Sequence, residues 1–125
     1  MKQLTDIVKT MKQHPDFSKA GMLLCHNGVV RSTSRDGRKV SGLRVSVDHA
    51  RLDAILETQR QRPGIVDIQV DIAEGSDLAV GDDVMLLVVA GDIREHVIHV
   101  LEETLNAIKA TVTHKTEHFV TENGS

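Results

Sequence analysis

Near the start of the chain, Leu4, Ile7, Val8 and Met11 fall three or four residues apart ahead of Pro15. That spacing predicts a short amphipathic helix over residues 4–14, with Thr5 as its cap and Pro15 as its stop. Residues 21–30 (GMLLCHNGVV) are apolar and partly β-branched but interrupted by Asn27 and Gly28, the pattern of a strand with a bulge or tight bend. Arg31 leaves that strand, and residues 32–39 carry an Asp36-Gly37 turn. Beyond the turn, Leu43, Val45 and Val47 alternate with Arg44 and Ser46, as in a half-buried strand. Asp48 stands where it caps a helix over 49–60, with Leu52, Ile55 and Leu56 on one face and Pro63-Gly64 past its end. Alternation returns over 65–72 through Ile68, Val70 and Ile72. After the Gly81-Asp82 turn, the run VMLLVVA at 84–90 is apolar without a break, as a strand covered on both faces requires. Val97, Ile98, Leu101, Leu105 and Ile108 then trace a stripe on a helix over 94–108, with His96, Glu102, Glu103 and Asn106 away from it. Residues 110–120, rich in Thr and Val, predict a last strand running into a polar tail at 121–125.

Helix, two strands, helix, two strands, helix and strand make an α+β layered domain. A chain of 125 residues has the size of one ordinary domain and holds a core without disulfides or metal, so residues 1–125 are taken as a single unit. The lone Cys25 sits in an apolar run. It excludes an intramolecular disulfide, is expected as a buried structural thiol, and fits a reducing cytoplasm. The amino terminus mixes charges with apolar residues, unlike a signal peptide, and the longest apolar run is far short of the roughly 20 residues that span a bilayer. A formal charge of -3, no Trp or Tyr, and only Phe17 and Phe119 as aromatics argue against nucleic acid as a partner, because backbone attraction and base stacking are both weak.

Hydrolytic chemistry finds no support. Cys25 has no evident activating partner, and no serine lies in a G-x-S-x-G turn. His96, His99 and Glu103 share a helix face and His114 and His118 a strand face. Such spacings are common on solvated surfaces, and no CxxC or HExxH reinforces them, so no metal is expected. Arg31, Arg35, Arg38, Lys39 and Lys109 form a cationic set. A charged hairpin is ordinarily solvated, and a lysine at a helix carboxyl end is favourable for the dipole alone. Spacing therefore leaves anion binding open.

Three segments together resemble the catalytic subunit of molybdopterin synthase. GMLLCHNGVVR (21–31) is similar to the family strand ending in Gly-x-Val-Arg, and LRVSVDH (43–49) to the strand that ends in an acidic residue and His. VGDDVMLLVVAGDIR (80–94) resembles the Gly-Asp turn, apolar strand and helix-opening arginine, with no gap from there to NAIK at Lys109. The likeness covers about 21–119, with 1–20 as a preceding helix and linker. It implies an α/β hammerhead fold with a mixed or antiparallel sheet packed by helices. It also implies a homodimer that binds a small ubiquitin-like sulfur carrier at each end, making a heterotetramer. The carrier's Gly-Gly tail brings a thiocarboxylate, whose sulfur goes to cyclic pyranopterin monophosphate to build the molybdopterin dithiolene without a cofactor.

The same resemblance implies that Lys109, and Lys115 after a one-residue gap, are the catalytic lysines. Arg31 and Arg94 would hold the substrate phosphate, and Val29, Val30, Ile93, Thr116 and Glu117 would complete the substrate site. Ile93 stands where the family motif has a histidine, and ATVTH (110–114) replaces a Pro-Phe-Trp-like segment. The family's longer carboxyl-terminal arm has no counterpart in the likeness. An alternative is a non-catalytic paralogue that binds a pterin, another anion or the carrier.

Overall fold

The unbroken apolar run forms β5 (Asp83–Gly91), which has a strand on each side. β1 (Met22–Val29) and β3 (Ile65–Ile72) both pair with it antiparallel in the order β1-β5-β3. Successive side chains of a strand point to opposite faces, so β5 feeds two cores. Met85, Leu87 and Val89 pack with Leu52 and Leu56 of α2 (His49–Arg60) and Val97, Val100 and Ile108 of α3 (Arg94–Thr111). Leu86, Val88 and Ala90 pack with Ile7 and Met11 of α1 (Leu4–Met11). The computed structural model describes residues 1–121, so of the polar tail expected at 121–125 all but Thr121 lies outside the described residues.

A second antiparallel sheet has β2 (Val40–Val47) at its centre, between β4 (Leu78–Ala79) and β6 (Thr113–Phe119). Its inner face contributes Leu43 and Val45, which join Val30 in a smaller core. Val47 and Ile72 touch both this cluster and the main one. The α+β reading therefore holds, with two antiparallel three-stranded sheets.

Several local signals act as their chemistry dictates. The Asp48 carboxylate accepts a hydrogen bond from Arg51 N at 3.0 Å, capping α2. Gly37 takes a φ of 85°, the left-handed conformation that the Asp36-Gly37 turn needs. The strand register shifts between Gly28 and Val29, which is the expected bulge.

Other expectations need correction. Thr5 lies inside α1, not at its cap; Gln3 precedes the helix without a side-chain cap bond, and the helix stops at Met11 ahead of Pro15. Ile7 and Met11 pack it against the sheet. Ala110 and Thr111 belong to α3, so β6 starts only at Thr113. β4 was not expected, because two residues carry no readable period. Ile98 is 49% exposed, whereas Val97, Val100, Thr104 and Ile108 are buried; a helix turns 100° per residue, and the one beside Val97 points away from the sheet. Cys25 is exposed rather than buried. It sits on edge strand β1 opposite Val88, and α1 packs over β5 and β3, leaving the middle of β1 open. No helix among the described residues is long and apolar enough to cross a membrane.

Thr104 is fully buried in α3, and its hydroxyl has no hydrogen-bond partner among the described residues. An unpaired buried hydroxyl carries a penalty of about 1–3 kcal/mol, and valine has nearly the same shape. Thr104→Val should raise unfolding stability by about 1 kcal/mol, read as a higher urea midpoint at unchanged m-value.

Candidate active site

Three chain segments meet at the end of β1. The Val30 N–H donates to Asp82 O at 2.9 Å, and Val30 O accepts from Gly81 N at 2.7 Å, so the strand end is pinned to the turn before β5. The following loop closes on itself: Thr33 and Lys39 form a bridge, Ser34 N donates to Arg38 O, and Arg31 Nε donates to Thr33 O at 2.7 Å. The Arg38 guanidinium lies 3.6 Å from the centre of the Phe119 ring, a cation–π contact tying the loop to β6. The carboxyl end of α3 then runs through Val112 directly into β6.

These constraints enclose a cleft of about 740 Å³. Its floor is apolar, from Leu43, Val45, Val84 and Met85. Its walls carry Arg31 and Arg35 from the loop, Lys109 from the last turn of α3, and Lys115 and Glu117 from β6. Four cations thus share the cleft with one carboxylate. A focused positive field over a low-dielectric floor attracts an anion, although the whole chain is formally -3.

Register decides which residues of β6 take part. Lys115 pairs with Val45 and Glu117 with Leu43, and cross-strand partners share a face, so both look into the cleft. Thr116 pairs with exposed Arg44 on the other face, away from it. Of the β6 residues singled out from the sequence, Lys115 and Glu117 thus face the cleft and Thr116 turns away, because side-chain direction reverses at every step along a strand. Val29 lines the cleft and is 53% exposed, whereas Val30 is buried in the smaller core and acts there as packing.

Ile93 and Arg94 stand at the opposite end of α3. Fifteen residues separate Arg94 from Lys109, about 22 Å along a helix, so within one chain neither Arg94 nor Ile93 reaches the cleft. Both are exposed, Ile93 by 49%. Helical continuity keeps the two ends of α3 apart in one chain.

His26 also lines the cleft, although the reading of sequence gave it no role. It lies on β1 opposite Leu87, whose side chain is buried against the helices, so the imidazole sits on the same face as α3. Partial burial, and then the charge of Lys109, lower its pKa from the ordinary value. The available signal was alternation: counting from apolar Leu24 puts His26 on the Leu24 face. Asn106 on α3 joins the cleft as well.

Four other histidines form separate pairs: His49 with Glu74, His96 with Asp92, His99 with Glu103 and His118 with Asp77. Among the described residues no three His, Cys, Asp or Glu side chains converge as a metal site. Cys25 points to the other face of β1 from His26, and partial desolvation pushes its thiol pKa up, the reverse of an activated nucleophile.

A family model described as MoaE protein matches residues 2–111. The chain belongs to the MoaE family. The match takes in Arg31, Arg94 and Lys109 and ends before Lys115. Membership gives this MoaE chain a role in molybdenum cofactor biosynthesis. Among solved structures it is similar to molybdopterin synthase from Staphylococcus aureus, with a TM-score of 0.76 at 19% identity over 94% of this chain and 85% of that one. It is also similar to a molybdopterin cofactor biosynthesis protein E from Burkholderia multivorans, with a TM-score of 0.74 at 22% identity over 95% and 84%. A chain in the complex of subunits 1 and 2 of molybdopterin-converting factor from Helicobacter pylori gives 0.71 at 17% identity over 98% and 87%. Identities this low establish a shared fold. No curated protein sequence matches.

Lys109 lowers the His26 pKa, so removing its charge should let that pKa rise. In Lys109→Ala, the His26 ring resonances should titrate at a higher pH than in wild type when followed by NMR. An unchanged midpoint would place the two side chains too far apart to interact.

Proposed function

We propose that this MoaE chain is the sulfur-transferring catalytic subunit of a molybdopterin synthase. The observation that carries the reading is the convergence of Arg31, Lys109 and Lys115 in one cleft with an apolar floor. Arginine holds a phosphate through a planar fork of donors, which suits Arg31 to the monophosphate of a cyclic pyranopterin. Arg35 lies in the same wall and adds a second charge. Once the thiocarboxylate sulfur has bonded to the pterin, water adds to the carrier's acyl carbon and the C–S bond breaks to leave a carboxylate; Lys109 and Lys115 are suited to stabilise the oxyanion formed in that addition. The protein needs no thiol of its own for this chemistry, because sulfur arrives on the carrier.

The partner in this reading is a small ubiquitin-like carrier whose carboxyl-terminal Gly-Gly tail enters the cleft past exposed Val29. The H. pylori neighbour, a complex of two converting-factor subunits, supports such a pairing. A homodimer, and a heterotetramer with the carrier, complete the assembly. Arg94 and Ile93 contribute to substrate binding only if a second copy brings its α3 amino end to this cleft.

That requirement is also the observation favouring the second reading, a non-catalytic paralogue that binds a pterin, another anion or the carrier. With thiocarboxylated carrier and cyclic pyranopterin monophosphate, the wild type should form dithiolene product. Lys109→Ala should stay folded and lose roughly 100- to 1,000-fold in turnover, the usual effect of removing one preorganised charge stabiliser. Lys115→Ala should also be impaired. Carrier or pterin binding without product from wild type would favour the paralogue, and neither binding nor product would remove both readings.

A further inference from the structure

One group in the cleft is neither a fixed cation nor a carboxylate. His26 projects from β1 towards α3, and its Nε2 lies over Gly28, where an added Cβ would come within 3.4 Å of it. Five of the seven histidines have a polar partner: His49, His96, His99 and His118 pair with carboxylates, and His14 Nδ1 accepts from Asp16 N. His26 has no such hydrogen-bond or ion-pair partner among the described residues. Its charged surroundings in the cleft are Lys109 on α3, Lys115 and Glu117 on β6, and Arg31 and Arg35 on the loop after β1; β5 contributes only apolar Val84 and Met85.

We infer that His26 is a further ligand-binding residue of this cleft, one that takes up a proton as an anionic group arrives and then donates to it. The physics is a reversal of sign. Without a ligand, burial and the neighbouring lysine both disfavour an imidazolium, which keeps the ring neutral near pH 7. An anion placed among the same cations adds an opposite charge beside the ring and favours the protonated form. The positively charged wall thus stays fixed, while His26 adds one more positive charge only when an anion is present.

The sign of the pH dependence follows from linkage. A group that gains a proton on binding strengthens binding as pH falls and loses that contribution as pH rises through its pKa in the complex. Among the cleft residues His26 alone has an ordinary pKa near neutrality, so no other lining group imitates the effect.

The inference rests on the cleft being an anion site, and inorganic sulfate tests the two separately because its own charge is constant near neutral pH. Affinity would be measured from the amide shifts of Gly28 and Arg31, which place the ion in this cleft. Wild type should bind sulfate roughly five-fold more tightly at about pH 6 than at about pH 8. His26→Phe and His26→Gln should bind with no such change, and His26→Gln, which keeps a polar side chain, guards against a folding defect in the first. Sulfate binding that does not depend on pH in wild type, or dependence that survives in both variants, would overturn the role of His26 and leave the anion site standing. Absence of sulfate binding at either pH would overturn both.

Discussion

Burial of β5 on both faces is the constraint from which the rest of the molecule follows. Every side chain from Met85 to Ala90 is at most 4% exposed, and a strand can reach that state only with strands at both edges and helices on both sides. β1 and β3 supply the edges, α1 covers one face, and α2 with α3 covers the other. Each fully buried aliphatic side chain is worth about 1.5–3 kcal/mol. The central strand therefore holds α3 in a fixed orientation across the sheet, and with it the position of Lys109.

The cleft is a by-product of that arrangement turned to use. α3 runs over the sheet and ends near the bulged end of β1, and the chain continues straight into β6. Lys109 and Lys115 therefore come from a rigid helix–strand joint. Arg31 and Arg35 come from a loop pinned by Val30, by its own backbone bonds and by Arg38 on Phe119. Fixed positions matter for electrostatic work, because donors held in place need no reorganisation when charge appears. Four cations gathered this way are mutually repulsive without a ligand, and an anion relieves the repulsion.

Much of the fold was legible in the residues. Asp48 announced the start of α2 through its cap, Gly28 the bulge, and the 84–90 run a central strand. Each of these signals is local, acting through a backbone angle, an orphan N–H or two-sided burial. Thr5, Ile98 and Cys25 misled for the opposite reason: which face a neighbour covers is not written in spacing. Two-residue β4 left no period to detect.

The candidate site divides along the same line. Chemistry of residue type, aided by family likeness, brought Arg31, Lys109 and Lys115 forward from the sequence by itself, along with the α+β class and the membership later shown. Only the tertiary structure decided that Lys115 faces the cleft while Thr116 turns away, that Val30 is core, and that Arg94 lies a helix length from Lys109. It alone brought His26 in. The physical reason is that a side chain's ionisation, direction and neighbours depend on pairing register and on what packs above it. Those are long-range quantities, set when β1, α3 and β6 come together, and no stretch of sequence contains them alone.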